Sequence, residues 1–235
     1  MVKKENDTNN TTLKETKAKG HKKMFLVSYI GRELLGNSVF DTNIEKIAKE
    51  NNVFNKERAY KPLIVINGEN ELLHVVEDEI QKMKEGEEKR IVIAPSHAFG
   101  ERKNELVKVV PLQVFRDQKI NPIPGLVVAI GQSFAKVQSI SGGRVRVDFN
   151  SPLAGREIEY YVKIEKEIKG NKDIGEKIFE KYFSMVPNAK HSFSGDKTII
   201  ELESETMKNL DKVLDGLKTL AKEFDAVIDF KEIKS

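Results

Sequence analysis

The chain has 235 residues, a third of them charged, and its 40 basic side chains nearly balance 37 acidic ones. A chain of this length can bury one large core or two to three small ones. It contains no cysteine, which excludes disulfides, thiolate metal sites, iron–sulfur clusters and a cysteine nucleophile. No two of its four histidines lie at helical spacing, and we therefore expect neither a metal ion nor a cofactor.

Residues 1–23 are predicted to be a disordered basic tail. They contain seven lysines and three acidic residues but almost no large apolar side chain, so burial cannot offset the entropy of ordering them. A basic tail of this kind can contact RNA or a ribosome, although a disordered segment that increases solubility is the favoured interpretation. The rest of the chain is nearly neutral and lacks a basic stripe, which argues against a specific nucleic-acid partner. Because the sequence has no long apolar run and no apolar signal core, we expect a cytoplasmic protein without a membrane partner.

The first folded domain is predicted to comprise residues 24–105 and 150–169. Its strands are recognised by apolar residues that alternate with polar ones or form short buried runs, and its helix by a spacing of three and four. The predicted elements are strands over 24–30, 62–66, 90–93 and 157–165, and a helix over 72–83. Several strands beside one short helix indicate an α+β fold with an antiparallel sheet.

Residues 106–149 are predicted to form a small β-rich domain inserted into the first one. Prolines punctuate its first half, and short alternating strands follow. Its apolar residues exceed what so small a core is expected to bury, which predicts an exposed binding surface. The residues in this set are Leu112, Val114, Phe115, Leu126 and Phe134.

Residues 173–235 are predicted to form a C-terminal α+β domain with the order α-β-β-α-β, of unknown role. A hairpin is expected to turn at Ser194-Gly195-Asp196, and one long amphipathic helix is expected between Met207 and Phe224. No catalytic pattern lies in this domain. The whole chain also lacks the glycine-rich nucleotide loops, the G-x-S-x-G elbow and the H-E-x-x-H motif, which argues against nucleotide, dinucleotide and metalloprotease chemistry.

Linked short segments carry a resemblance to a known family. They are Val27-Ser28-Tyr29 with Gly36–Thr42, Gly68–Leu73, Met83–Glu87, Pro95–Gly100 and Val147–Gly155. In this order they resemble the FKBP-type peptidyl-prolyl cis-trans isomerases. The insertion after Phe99-Gly100 resembles the SlyD-like branch with its chaperone domain inserted in the flap, and the additional C-terminal domain resembles the long archaeal form.

The resemblance implies an antiparallel half-barrel wrapped on a helix, with an apolar pocket for a prolyl ring between them. It implies catalytic roles for Asp41, Tyr29 and Leu73, the last through a backbone N–H that binds a substrate carbonyl. The implied pocket-lining residues are Tyr29, Phe40, Asp41, Leu63, Leu72, Leu73, Val76, Phe99 and Tyr160. Without the resemblance, Tyr29, Phe40 and Tyr160 also fit an ordinary core, and Asp41 fits a turn or helix cap.

The chain departs from the family pattern at several positions. Phe99 replaces the usual tyrosine, Val75 the usual glycine, and Ser151 a histidine, while the pocket floor is only Val76. The histidine-rich metal-binding tail of some SlyD proteins is missing, so nickel binding is not expected. Glu77 is interpreted as a solvated or ion-paired helix residue and His97 as a loop residue.

These features together predict a peptidyl-prolyl isomerase and folding chaperone that acts on Xaa-Pro bonds. The expected partners are unfolded or nascent polypeptides that contain proline. Two alternatives remain open. A holdase would bind unfolded chains through the inserted domain with weak or no isomerase activity, and a ribosome-associated factor would use the basic tail.

Overall fold

The computed structural model describes residues 22–66 and 68–233. The strands are β1 (Met24–Glu33), β2 (Ser38–Thr42), β3 (Leu63–Ile66), β4 (Glu88–Ile93), β5 (Val107–Pro111), β6 (Val127–Ile130), β7 (Ser133–Ser141), β8 (Arg144–Asp148), β9 (Ile158–Ile168), β10 (Lys190–Ser194), β11 (Lys197–Leu202) and β12 (Val227–Glu232). The α-helices are α1 (Glu45–Glu50), α2 (His74–Ile80), α3 (Leu112–Asp117), α4 (Asn171–Phe183), α5 (Ser204–Asn209) and α6 (Asp211–Lys222). The predicted α+β class is confirmed. Most of the predicted tail lies outside the described residues, and no helix within them is long and apolar enough to cross a membrane.

The five-stranded central sheet has the order β2-β1-β9-β4, with β3 also pairing with β1, and every pairing in it is antiparallel. Strand β1 is buried on both faces, because Phe25, Val27 and Tyr29 pack on the side of α2 while Met24 and Leu26 pack on the opposite side. A strand with two covered faces needs apolar residues at consecutive positions. This explains the unbroken apolar run at the start of β1.

The inserted region forms a four-stranded sheet with the order β5-β8-β7-β6 and a separate core. The expectation that its apolar residues exceed its core is wrong for Phe115, which is buried, and for Leu112 and Leu126, which pack against the core. Helix α3 supplies the cover that the sequence pattern did not predict. Pro111 lies at the N-cap position of α3. A backbone N–H at this position makes no hydrogen bond within the helix, so its absence from proline does not weaken α3.

The C-terminal region forms a three-stranded sheet, β10-β11-β12, packed against α4 and α6. The hairpin turn at Gly195 is confirmed, while β11 and β12 pair in parallel. The single long helix expected here is two helices, because Leu210 leaves the helical conformation between α5 and α6. Asp211 then begins α6, where a negative side chain is favourable to the helix dipole.

The core of the C-terminal region continues into the central sheet. Its apolar cluster includes Met24, Ile64, Ile66 and Ile168 from β1, β3 and β9. The central sheet therefore lies between two layers, with α2 on one face and the C-terminal region on the other.

Candidate active site

A β-bulge in the middle of β2 lies at two predicted site residues, Phe40 and Asp41. Asp41 lies opposite Gly31 and Val39 opposite Arg32, so Phe40 is the additional residue of the bulge. Bulges redirect side chains that strict alternation would send to opposite faces. Gly31 provides the necessary space, because a Cβ atom there would come within 2.7 Å of the Phe40 ring.

Four aromatic rings meet above α2. The ring of Phe40 is edge-on to both Tyr160 and Phe99, with centroids 5.8 Å and 5.7 Å away, and Tyr29 lies 6.0 Å from Tyr160. Such tilted and edge-on contacts are favourable arrangements of aromatic pairs. Val76 of α2 is fully buried below them, and Leu63, Leu72 and Leu73 pack against the same cluster. The structure therefore brings together all the residues that the resemblance placed in the pocket.

Asp41 is the acceptor of a polar network at the edge of this cluster. The Tyr29 hydroxyl donates to Asp41 Oδ2 at 2.8 Å, Arg58 Nη1 donates to Asp41 Oδ1, and Arg58 Nη2 donates to the Tyr29 hydroxyl at 2.6 Å. Burial and the hydrogen bond to Asp41 raise the pKa of Tyr29 to about 12. Burial, with smaller contributions from the charges of Asp41 and Tyr29, also raises the pKa of Tyr160. Both phenols are therefore neutral at physiological pH.

Arg58 is a site residue that sequence reasoning missed. Burial of its guanidinium disfavours the charge, but the hydrogen bonds and charges of Asp41 and Tyr29 outweigh that effect and raise the pKa of Arg58. Arg58 lies in the loop between α1 and β3, 17 positions after its carboxylate partner. No local spacing in the sequence indicates that contact.

Buried polar side chains after Asp41 fix the backbone of Tyr29. Asn43 accepts a hydrogen bond from the Tyr29 N–H at 2.8 Å and donates to the Val27 carbonyl at 2.7 Å. The Thr42 hydroxyl donates to the Tyr29 carbonyl at 2.6 Å. These bonds hold the backbone of β1 at Tyr29, the residue whose hydroxyl donates to Asp41.

Glu77 supports the loop that leads into α2, and the expectation that it is solvated is wrong. Its side chain is 0% exposed, and its two carboxylate oxygens accept hydrogen bonds from the N–H groups of Gly68 and Leu72, both at 3.1 Å. The next N–H, that of Leu73, donates to no described residue. It lies at the N-terminus of α2, where backbone donors have no partner within the helix.

Two of the positions that depart from the family pattern, Phe99 and Ser151, lie at the protein surface, whereas Val76 is buried. Phe99 is 36% exposed, and His97 lies in an exposed turn, as expected. Ser151 accepts a weak hydrogen bond from the Leu153 N–H in the segment that returns from the inserted sheet. Among the described residues, no group of three or more histidine, aspartate or glutamate side chains converges on a point where a metal could bind.

A crevice of about 430 Å³ adjoins the aromatic cluster on the side of the C-terminal region. Leu63 lines the crevice and packs against the aromatic cluster, and Arg58 lines the crevice and bonds to Tyr29. Lys181 and Tyr182 of α4 also line the crevice. The site is therefore flanked by the C-terminal region.

Comparisons with known proteins agree with this geometry. Residues 16–111 match the family described as FKBP-type peptidyl-prolyl cis-trans isomerase. A short-type peptidyl-prolyl cis-trans isomerase of Methanocaldococcus jannaschii is 35% identical over 126 residues, which cover 54% of this chain and 80% of the relative. The chain belongs to the FKBP-type peptidyl-prolyl cis-trans isomerases.

Other similarities within this family point to its SlyD-like members. The FKBP-type peptidyl-prolyl cis-trans isomerase SlyD of Helicobacter pylori is 30% identical over 149 residues, 61% of this chain and 71% of the relative. The SlyD of Vibrio cholerae is 28% identical over 116 residues, 44% of this chain and 53% of the relative. Residues 108–153, which contain all of the inserted sheet except the first residue of β5, match the family described as FKBP26, IF domain.

Proposed function

We propose that the chain isomerises Xaa-Pro bonds in a pocket formed by the aromatic cluster, the Asp41 network and the Leu73 N–H. The prolyl ring lies among Tyr29, Phe40 and Tyr160, over Val76. The family membership supports this activity, and the grouping of the aromatic rings supports its location.

The reaction requires neither a nucleophile nor a strong acid or base. Rotation about a peptide C–N bond is opposed by resonance, with a barrier of about 18–20 kcal/mol. An apolar pocket disfavours the charge-separated resonance form, and the twisted transition state has lost that charge separation. An enzyme accelerates rotation by binding the twisted amide more tightly than either planar isomer. Each tenfold acceleration requires about 1.4 kcal/mol of that preference.

The residues of the site divide this work between them. The aromatic rings remove the prolyl amide from water, and the Leu73 N–H donates to a carbonyl of the substrate, which holds the chain on one side of the rotating bond. Asp41 keeps the Tyr29 hydroxyl and the Arg58 guanidinium in place at the pocket edge. With the pKa of Tyr29 raised to about 12, its hydroxyl keeps its proton and donates a hydrogen bond throughout the neutral range.

The proposal rests on the hydrogen bonds that join Asp41, Tyr29 and Arg58 beside the aromatic cluster. Asp41→Ala removes the acceptor of both donors, and a hydrogen bond to a charged group is worth about 1.5–3 kcal/mol. We expect kcat/KM for a short proline peptide to fall by about tenfold or more, in a protein that loses some stability but keeps its fold.

Asp173→Ala is the matched control, because Asp173 is a half-exposed carboxylate that pairs with Lys166 in a different part of the chain. We expect wild-type kinetics from it. Equal isomerase activity of the Asp41→Ala variant and the wild type would place the chemistry elsewhere.

We also propose that residues 106–149 are an inserted chaperone domain, attached to an isomerase domain of residues 24–105 and 150–169. On the outer face of its sheet, the side chains of Phe134 and Val127 are 73% and 60% exposed. They line a groove of about 300 Å³ together with Pro152 and Ala154 of the returning segment. Exposed apolar patches of this kind are typical of binding surfaces, and unfolded or nascent chains are the proposed occupants.

An aggregation assay tests the chaperone role. The double substitution Phe134→Ser and Val127→Ser should weaken suppression of aggregation of an unfolded protein. Val213→Ser, which removes a half-exposed apolar side chain from α6, should not. If both variants suppress aggregation as well as the wild type does, the outer face of the inserted sheet is not the capture surface.

A further inference from the structure

Residues 68–73, in the loop that leads into α2, are held from two sides. From below, the buried Glu77 carboxylate accepts hydrogen bonds from the N–H groups of Gly68 and Leu72. From above, helix α4 of the C-terminal region reaches the acidic side chains of the same loop. Lys181 Nζ pairs with Glu71, and the Tyr182 hydroxyl donates to Glu69 at 2.8 Å.

A third contact ties α4 to the chain on the other side of β3. Glu180 pairs with Lys61, two residues before β3 begins. The Lys61 carbonyl also accepts a hydrogen bond from Asn43, the residue that fixes Tyr29. Three consecutive side chains of α4 therefore contact the chain segments before and after β3.

The ion pair of Lys181 is better shielded from water than most ion pairs among the described residues. The lysine side chain is only 11% exposed, and burial lowers the pKa of Lys181, with partial compensation from the charge of Glu69. Burial and the hydrogen bond to Glu69 raise the pKa of Tyr182. Shielded and hydrogen-bonded pairs hold their geometry more firmly than exposed ones, whose net contribution is commonly close to zero.

We propose that Lys181 and Tyr182 are positioning residues for the substrate-binding loop, so that the C-terminal region completes the isomerase site. The inference rests on the proposed function, because it assigns the Leu73 N–H to a substrate carbonyl. Glu71 and Leu73 are two residues apart, so the ion pair with Lys181 sets where that N–H points. Without α4 the loop would lose the polar contacts of Glu69 and Glu71 and keep the hydrogen bonds to Glu77 and the packing of Leu72 and Leu73.

Single substitutions in the full chain test this role. Lys181→Met keeps the aliphatic stem and removes the ammonium group, and Tyr182→Phe removes one oxygen. With a short proline peptide as the probe, we expect kcat/KM to fall roughly three- to tenfold in Lys181→Met and less in Tyr182→Phe, mainly through KM. Lys181→Arg keeps the charge and should restore most of the loss.

Two comparisons separate positioning from general stability. Lys177→Met removes the same charge one turn earlier in α4. Lys177 pairs with Glu180 Oε2, whereas Lys61 pairs with Glu180 Oε1, so the substitution leaves both the Lys61 contact and the contacts to the loop in place. It should leave kcat/KM unchanged. In a Glu71→Gln background, Lys181→Met should cause little further loss, because the pair is already broken.

Amide hydrogen exchange provides an independent measurement. We expect faster exchange at residues 68–73 in Lys181→Met and Tyr182→Phe, but not in Lys177→Met. Unchanged exchange in this loop, or equal kinetic losses in Lys181→Met and Lys177→Met, would overturn the inference. If the wild type lacked isomerase activity, the proposed function would fail, whereas the exchange measurement would still decide whether α4 holds the loop.

Discussion

The inserted sheet and the C-terminal sheet are attached to the central sheet in different ways. The core of the inserted sheet is built only from residues between 110 and 149, and polar contacts dominate at its root. There, Arg102 pairs with Asp148, and Lys103 and Asn150 exchange two hydrogen bonds of 2.9 Å. The C-terminal region instead shares one apolar core with β1, β3 and β9, and its helix α4 contacts the loop beside the active site.

The inserted sheet is therefore an accessory to the central sheet, whereas the C-terminal region is part of its core. A region with its own core and a polar root can be removed without exposing apolar surface of the central sheet. A region that shares a core cannot. We therefore propose that catalysis belongs to the central sheet together with the C-terminal region, and that the inserted sheet adds capture of unfolded chains.

Removal of residues 170–235 should have the largest effect. It would expose Met24, Ile64, Ile66 and Ile168, and burial of each such side chain contributes roughly 1.5–3 kcal/mol. Their combined loss is comparable with the whole stability of a domain, about 5–15 kcal/mol. We expect the truncated protein to be unfolded or to melt at a much lower temperature, as measured by circular dichroism. A truncated protein with wild-type stability and activity would show that the C-terminal region is an independent appendage.

Glu77→Gln should have the next largest effect, now within the active-site loop. The amide would place an N–H₂ group against the N–H of Gly68 or Leu72, leaving a buried donor without an acceptor. Such a group costs about 1–3 kcal/mol. We expect a lower melting temperature and a roughly tenfold lower kcat/KM for a short peptide.

Glu79→Gln on the solvent side of α2 is the matched control. Glu79 pairs with Lys82 and Lys89 at the surface, and loss of these pairs should change neither quantity appreciably. If both variants behaved alike, the buried carboxylate would not be a special support of the loop.

Phe99→Tyr should have the smallest effect, and it should be a gain. One neutral hydrogen bond contributes roughly 0.5–1.5 kcal/mol, so a hydroxyl that reaches the substrate carbonyl would raise kcat/KM by at most about tenfold. The exposure of Phe99 leaves room for the added oxygen. A lower rate in the peptide assay would mean that the contact between Phe40 and a bare ring is itself required.

The sequence predicted the aromatic part of the site better than its supports. Tyr29, Phe40 and Asp41 belong to short segments whose order resembles the family, and the same resemblance assigned Tyr160 to the pocket. The structure brings these four residues together. Arg58 was missed because its partner lies far away along the chain. Glu77 was misinterpreted because a carboxylate on a short helix is usually solvated, and its backbone partners leave no trace in the side-chain pattern.

Outside the site, errors arose where tertiary contacts decide local structure. The pattern from Met207 to Phe224 is continuous, yet Leu210 breaks the helix. Helix α3 is too short to show a period and follows a proline that was interpreted as punctuation. The contact between α4 and the loop before α2 joins residues 110 positions apart, which no local pattern could indicate.

The division between catalysis and capture can be measured by replacing residues 106–149 with a short loop. The two ends of this region are adjacent, because the Phe149 N–H donates to the Leu106 carbonyl at 3.0 Å. The replacement and the wild type would be compared on a short proline peptide and on a protein whose refolding is limited by proline isomerisation. A bound folding chain presents its prolines to the pocket at an effective concentration in the millimolar range, whereas a short peptide gains nothing from this tether. We expect most of the short-peptide kcat/KM to remain while catalysis of refolding falls sharply; an equal loss with both substrates would contradict the division and make the inserted sheet a wall of the active site.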